Sequence, residues 1–315
     1  MSFDHSISRR SVFKGAGGLA VASALGAGAA LGANTPAHAA GLDVAEHQTY
    51  GRMEYYKVST PSIAWKPRVN VLLPDGYDSG RRYPVLYLLH GGAQNFMKFD
   101  KEDDIRGLTA GRDLIVVMPD GGIAGWYCNP VTANLGPRNW ETFHIEELIP
   151  WVDATFRTFP EQAGRAVSGF SMGGFGALKY TAKYYGHFAS VSSHSGPASL
   201  RSINGAVAHW ANASSTIDLG GGTVYGTPWD EARVSADNPV ERIESYRGKR
   251  IFLVSGTDPD VNETFVLPTQ RTFGGALEAA GIPHERYEDS GTHFVRPERL
   301  QQDIDGIIAH LTKAG

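Results

Sequence analysis

A serine set between closely spaced glycines is the residue whose surroundings best suit nucleophilic chemistry. The stretch Gly169-Phe170-Ser171-Met172-Gly173-Gly174 follows an apolar run and precedes a helix-prone run from Phe175 to Tyr185. A strand, a sharp turn and a helix are the context that the G-x-S-x-G pattern requires, because the glycines let strand and helix approach while the turn exposes the hydroxyl. We therefore predict that Ser171 is a nucleophile. The chain has 38 glycines, so the five-residue pattern could arise by chance. The prediction therefore needs support from partner residues elsewhere in the chain.

A serine hydroxyl needs a base to accept its proton, and the base needs a carboxylate to orient it. His293 stands in a glycine-containing loop just before the last helix-prone segment and is the predicted base. The acid is expected in an earlier loop, which carries Asp258, Asp260 and Glu263. Asp258 lies nearest the end of the preceding strand, so strand geometry alone favours it. The order serine, acid, histidine is that of the α/β hydrolases.

Donors for a substrate oxygen are expected from two backbone amides. His90-Gly91-Gly92 follows an apolar run from Pro84 to Leu89, and a glycine there allows an N–H to face the substrate. We predict that the amides of Gly92 and Met172 form an oxyanion hole. His90 is expected to shape this loop rather than to act as the base.

A mostly parallel sheet is the element that would bring these groups together, since reacting groups of doubly wound α/β folds lie at the carboxyl ends of parallel strands. Continuous apolar runs are typical of strands that are buried on both faces. Such runs alternate with helix-prone segments here, which predicts a doubly wound α/β sheet. The runs and the other predicted strands are Tyr50–Ser59, Arg68–Leu73, Pro84–Leu89, Leu114–Met118, Arg165–Gly169, Phe188–Ser193, Arg250–Ser255 and His284–Glu288.

The first two predicted strands are expected to form an antiparallel hairpin at the sheet edge. Helices are predicted over Glu141–Phe156, Thr269–Ala280 and Pro297–Leu311, in addition to the helix after Ser171. Residues 195–246 lose clear periodicity and are rich in Gly, Ser and Asn. We interpret them as an excursion between the sixth and seventh strands that helps to wall the site.

Residues 1–39 carry the features of an export signal. A twin arginine, Arg9-Arg10, precedes an Ala- and Gly-rich run, and Ala37-His38-Ala39 fits a small-x-small cleavage site. We predict a twin-arginine signal peptide over 1–39 and one catalytic domain over 40–315. The protein is then expected to be secreted or held in the periplasm or cell envelope, with no membrane span in its mature form.

The composition argues against several other kinds of site and partner. The formal net charge is −4 at pH 7, which disfavours nucleic acid as a partner. Cys128 is the only cysteine, so the chain can form neither an internal disulfide nor a thiolate metal cluster. Cys128 is expected to be a half-buried small residue.

Several segments together resemble the esterase D and mycolyltransferase branch of the α/β hydrolases. The resemblance implies the α/β-hydrolase fold and a serine triad that acts on esters or thioesters without a cofactor. In mycolyltransferase-like members the acid is a glutamate at the position of Glu263, so the resemblance favours Glu263 over Asp258 and Asp260. The matching segments are Tyr83–Gly92, Val117–Gly122, Trp126-Tyr127, Trp140–Phe143, Gly169–Gly174 and Gly291–His293.

The resemblance has limits that affect specificity. Mycolyltransferases carry an acidic residue before the oxyanion-loop glycine, where this chain has His90, so trehalose or mycolate specificity is not implied. We expect a secreted serine carboxylesterase, with an acyltransferase that passes the acyl group to a sugar or other alcohol as the alternative. A binding protein that has lost catalysis is a third possibility.

The expected partner is a small-molecule or polysaccharide-linked ester. Several aromatic residues could line a groove for it or could equally be packing residues. These residues are Trp126, Tyr127, Trp210, Tyr225 and Trp229.

Overall fold

A nine-stranded mixed sheet organises residues 41–314, the part of the chain that the computed structural model describes. The predicted signal peptide lies outside these residues. The strand order is β1-β2-β3-β5-β4-β6-β7-β8-β9. The strands are Asp43–Tyr50 (β1), Met53–Ser59 (β2), Arg68–Leu72 (β3), Val85–Leu89 (β4), Ile115–Pro119 (β5), Arg165–Phe170 (β6), Ser190–His194 (β7), Arg250–Gly256 (β8) and Glu285–Asp289 (β9).

Strands β4 to β9 are all paired in parallel, whereas β1, β2 and β3 join the sheet in antiparallel fashion beside β5. Every residue of β4, β5, β6 and β7 is buried, as expected for parallel strands that are covered on both faces. The predicted doubly wound, mostly parallel sheet is therefore confirmed.

Strand β1 is missing from the sequence-based prediction, and its presence changes the strand count. Its residues, DVAEHQTY, are almost all exposed and show no apolar alternation, so no hydrophobic pattern marks the strand. The predicted hairpin of β2 and β3 exists, but β1 occupies the sheet edge. The excursion consequently lies between the seventh and eighth strands rather than the sixth and seventh.

Helices cover both faces of the sheet. They are Lys98–Lys101 (α1), Ile105–Leu108 (α2), Trp140–Thr142 (α3), Ile149–Thr155 (α4), Met172–Lys183 (α5), Ser202–Leu219 (α6), Glu231–Asp237 (α7), Glu263–Ala279 (α8) and Pro297–His310 (α9). A π-helical segment, Phe143–Leu148, joins α3 to α4, and 3₁₀ turns span Gln162–Gly164 and Pro239–Tyr246. No helix of the described residues is long and apolar enough to cross a membrane.

Two of the helix predictions need correction. Helix α8 begins at Glu263 rather than Thr269, because Pro268 lies inside the helix instead of marking its start. The carbonyl that loses its partner to this proline belongs to the exposed Thr264, where water can satisfy it. The excursion was predicted without a helix, yet it contains the 18-residue α6, with a kink at Ile203–Gly205. Its Ala- and Ser-rich sequence gives only a weak apolar pattern.

Apolar side chains form a cluster on each face of the sheet. One cluster includes residues of α4, α5 and the excursion, and the other includes residues of α9. Cys128 is completely buried in the first cluster, so the expectation of a half-buried thiol is wrong. Lys179 from α5 lies 3.2 Å from the Cys128 sulfur and is itself buried against Glu141 and Asp237. Contacts with Lys179 thus hold both the segment around Cys128 and the excursion, through Asp237, against α5.

Candidate active site

Ser171 occupies the sharp turn between β6 and α5 in a strained backbone conformation. Its φ of 55° and ψ of −119° lie in a region that costs a non-glycine residue about 1–3 kcal/mol. Glycines at the flanking positions make the turn possible. A Cβ atom at Gly169 would lie 2.3 Å from the carbonyl oxygen of Gly173, and one at Gly173 would lie 2.1 Å from that of Leu89.

The structure brings Ser171, His293 and Glu263 into one hydrogen-bonded chain. The Ser171 hydroxyl donates to Nε2 of His293 at 2.8 Å, and Nδ1–H of His293 donates to Oε1 of Glu263 at 3.1 Å. Only about 10% of the His293 side chain and 1% of the Glu263 side chain is exposed. In this arrangement the imidazole has its unprotonated nitrogen turned to the hydroxyl, as a general base requires.

The other two candidate acids lie elsewhere. Asp260 accepts the backbone N–H of His293 with Oδ2 and those of Asn262 and Glu263 with Oδ1, each at 2.7 Å. Asp258 is exposed, and its backbone N–H donates to the carbonyl of Gly291 at 3.1 Å. Of the three candidate acids, only Glu263 has a hydrogen bond to the imidazole within the described residues.

The loop that carries His293 is braced from its other side by Arg296. The guanidinium of Arg296 donates to the carbonyls of Gly291 and Thr292 at 3.3 and 3.2 Å. Arg296 is buried and lies over the ring of Phe294. Glu263 thus holds the imidazole, while Asp260 and Arg296 hold the backbone of its loop.

Gly92 and Met172, the predicted oxyanion-hole residues, both border the cavity that contains Ser171 and His293. Among the described residues, neither backbone amide donates a hydrogen bond to another protein group. The next amide, that of Ala93, donates to the carbonyl of Ile123 at 2.7 Å, which fixes the loop after Gly92. Two unused N–H groups beside the Ser171 hydroxyl are the donors that an oxyanion there would need.

His90 stabilises this loop through two hydrogen bonds with backbone groups. Its Nδ1–H donates to the carbonyl of Gly91 and its Nε2 accepts the N–H of Gly121, both at 2.8 Å. The ring can make both bonds only when it is neutral. Burial lowers the pKa of His90, although Asp120 and the Gly91 carbonyl oppose that shift. His90 therefore contacts backbone groups rather than Ser171.

The cavity beside Ser171 has a volume of about 450 Å³, within the range of roughly 300–1,000 Å³ that is usual for ligand sites. Of the aromatic residues that could line a groove, Trp126 and Trp210 do so. Tyr127 and Tyr225 are fully buried, and Trp229 borders a different depression. No group of three or more His, Cys, Asp or Glu residues in the described chain is placed to hold a metal ion.

Comparison with known proteins relates this chain to a family. The model of the Esterase family matches residues 60–306. Esterase Rv1288 of Mycobacterium tuberculosis is 64% identical over 275 residues, which cover 84% of this chain and 60% of that protein. The chain thus spans less than two thirds of the length of this curated relative.

Two solved structures with low sequence identity share the fold. The structure of MPT51 (FbpC1) of Mycobacterium tuberculosis is similar with a TM-score of 0.69 at 19% identity, covering 85% of this chain and 100% of that one. A CE1 ferulic acid esterase of Anaeromyces mucronatus in complex with ferulic acid has a TM-score of 0.56 at 18% identity, covering 84% of this chain and 91% of that one.

Proposed function

Because the chain belongs to the Esterase family, we propose that it is a serine carboxylesterase that hydrolyses its substrate through an acyl-enzyme. The observation that carries this proposal is the hydrogen-bonded chain from Ser171 through His293 to Glu263, at 2.8 and 3.1 Å, beside an open cavity. Each residue has the chemical character that its role requires.

In the first half of the reaction Ser171 Oγ attacks the ester carbonyl. Nε2 of His293 takes the hydroxyl proton, and the carboxylate of Glu263 stabilises the imidazolium that results. The carbonyl oxygen becomes negative and is held by the amides of Gly92 and Met172. His293 then gives the proton to the departing alcohol oxygen, which leaves the acyl group on Ser171.

In the second half water replaces the alcohol. His293 takes a proton from water, the hydroxide attacks the acyl carbonyl, and the carboxylic acid leaves as Ser171 recovers its proton. The two amides hold the same oxyanion in both steps. The strained turn at Ser171 keeps the acylated oxygen clear of the sheet, so water can reach the carbonyl.

An alcohol that binds in place of water would turn the same intermediate into an acyltransferase reaction. The similarity to MPT51 is the reason to test acyl transfer as a second function, although that similarity supports the fold rather than an activity. Product analysis separates the two. The enzyme is supplied with an acyl ester together with glucose, glycerol or trehalose, and hydrolysis is expected to account for most product.

The proposed substrate is a small-molecule or polysaccharide-linked ester, and residues 1–39 are proposed to direct twin-arginine export. The fold similarity to a ferulic acid esterase that was solved with ferulic acid supports including feruloyl esters in a substrate panel. A fusion of residues 1–39 to a folded reporter tests export. Arg9→Lys together with Arg10→Lys should abolish it, whereas export of the double variant would contradict the assignment.

A fluorophosphonate probe tests the proposed nucleophile directly. The wild-type protein should be labelled at Ser171 and should hydrolyse p-nitrophenyl acetate. Ser171→Ala should lose labelling and about 10⁴-fold or more of kcat/KM, with an unchanged circular dichroism spectrum. Ser290→Ala is the matched control, because Ser290 is an exposed serine of the His293 loop. Labelling that persists in Ser171→Ala would contradict the proposal.

A further inference from the structure

The cavity beside Ser171 has one wall that offers a ligand almost no free polar group. We propose that this wall binds the aliphatic acyl chain of the ester, so that the enzyme prefers medium-length saturated acyl groups over acetyl or feruloyl groups. This inference rests on the proposed esterase function and adds the substrate class.

One half of the wall is a single face of α6. Trp210, Ser214 and Ile217 recur at the spacing of successive helical turns, and all three line the cavity. Ile217 is 75% exposed, so most of its side chain is open to a ligand. The other half is the segment from Ile123 to Trp126, which also lines the cavity. Ile123 is 55% exposed.

The side-chain polar groups of Trp126 and Ser214 on this wall are already satisfied within the protein. Nε1–H of Trp126 donates to Oγ of Ser214 at 2.9 Å, and the Ser214 hydroxyl donates to the carbonyl of Trp210 at 2.8 Å. The rings of Trp126 and Trp210 meet edge to face, with centroids 5.1 Å apart. The wall therefore presents the ring of Trp210 and the aliphatic side chains of Ile217 and Ile123. A hydroxyl or methoxy group placed against either isoleucine would lose water without gaining a partner.

The position of the wall assigns it to the acyl chain rather than to the alcohol. The carbonyl oxygen must lie at the amides of Gly92 and Met172, whereas the alcohol oxygen must lie at Nε2 of His293 to receive its proton. Trp126 lies against Met172, because its backbone N–H donates to Sδ of Met172 at 3.3 Å. Ile123 contacts the loop after Gly92 through its carbonyl. The Ile123–Trp126 half of the wall thus borders the oxyanion side of Ser171.

Two ester series test the assignment in the full-length protein. The first keeps p-nitrophenol as the leaving group and lengthens the acyl group from acetate through butyrate and hexanoate to octanoate. The second keeps the acetyl group and lengthens the alcohol. We expect kcat/KM to rise at least about tenfold from acetate to hexanoate in the first series, because each buried methylene adds to discrimination. The second series should stay nearly flat.

A charge placed on the wall should remove the preference. Ile217→Glu should lower the hexanoate-to-acetate ratio of kcat/KM at least about tenfold. Ala213→Glu is the matched control, since Ala213 is exposed on the same helix but borders a different depression. The control should keep the wild-type ratio.

The proposal is overturned if Ile217→Glu keeps the wild-type ratio, or if alcohol length rather than acyl length controls kcat/KM. Failure of the underlying function looks different. In that case the wild-type protein hydrolyses no member of either series and Ser171 does not react with a fluorophosphonate. Chain-length selectivity therefore tests the acyl-chain wall, whereas turnover and fluorophosphonate labelling test the esterase function itself.

Discussion

The carboxylate of Asp260 accepts the backbone N–H of His293 at 2.7 Å, which ties the loop before α9 to the loop before α8. The other oxygen of the same carboxylate accepts the N–H of Glu263, also at 2.7 Å. One side chain therefore fixes the backbone at both ends of the His293–Glu263 hydrogen bond. Burial raises the pKa of Asp260, but the amides of Glu263, His293 and Asn262 outweigh burial, so the pKa lies below its usual value.

Asp260→Asn should lower activity by displacing the imidazole of His293 rather than by weakening substrate binding. The amide group of asparagine would turn an N–H toward at least one of the backbone N–H groups that the carboxylate accepts, so the imidazole would shift. We expect kcat to fall roughly 10²-fold, the loss that about 1 Å of misplacement can cause, while KM changes little. Steady-state kinetics check this split. A change confined to KM would contradict a positioning role for Asp260.

Glu263→Gln should be far more damaging than Asp258→Asn. A glutamine cannot stabilise the imidazolium that forms at His293, and loss of this carboxylate is expected to lower kcat by about 10⁴-fold. Asp258→Asn is the control on the same loop and should retain most activity. Rates are measured with p-nitrophenyl esters at pH 7. The reverse ranking of the two variants would transfer the role of acid to Asp258.

Stability should fall as the solution becomes acidic, in part because of His144. This buried imidazole lies between the hydroxyl of Tyr180 at 2.9 Å and the carbonyl of Asp120 at 2.7 Å. Burial is the main cause that lowers its pKa to about 3. An ordinary histidine in the unfolded chain has a pKa of about 6.5. Between the folded-state pKa and the unfolded-state pKa, the unfolded chain therefore binds a proton at this residue and the folded chain does not.

His144 therefore lowers the free energy of unfolding by about 1.4 kcal/mol for each pH unit below about 6.5, until the folded-state pKa is reached. Urea denaturation at pH 7, 6, 5 and 4 measures the slope. His144→Gln should be less stable at pH 7 but should show a shallower fall with pH. His209→Gln, at an exposed position on α6, should keep the wild-type slope. Identical slopes in all three proteins would contradict this account.

Cys128 should react with thiol reagents only after unfolding. Its side chain is fully buried, and burial is the main cause that raises the pKa of the thiol to about 12. The reactive thiolate is thus both scarce and inaccessible in the native protein. A chromogenic disulfide reagent should give no signal in buffer and one thiol per chain in denaturant. Rapid labelling of the native protein would contradict the burial of Cys128.

The sequence was most informative where one physical requirement determines the residue type. Gly169 and Gly173 are glycines because any Cβ atom would collide with backbone carbonyls, and the buried parallel strands are continuous apolar runs because helices cover both faces. Placement of His293 next to Ser171 follows from strands that end at one edge of the sheet. These features could be predicted from local pattern and topology, whereas strand geometry favoured Asp258 and only the family resemblance favoured Glu263.

Other features depend on contacts that no local pattern encodes. Strand β1 is specified by backbone pairing with β2, since its own side chains are polar and exposed. The π-helical segment at Phe143–Leu148 has the same apolar periodicity as a regular helix. By its place in the sequence Asp260 is one of three candidate acids, but its hydrogen bond with the backbone N–H of His293 depends on a loop more than thirty residues further along the chain. Three-dimensional neighbours decide such roles.

The segment between β7 and β8 carries one half of the proposed acyl-chain wall and none of the three residues of the hydrogen-bonded chain. These two strands pair directly with each other, and Ser171, His293 and Glu263 all come from outside the segment, whereas Trp210 and Ile217 come from within it. Substitutions on the exposed face of α6 can accordingly diversify what the enzyme accepts while the reacting groups keep their geometry. Evolution or engineering can therefore change the ester preference by substitutions in this segment, without changing the residues that react.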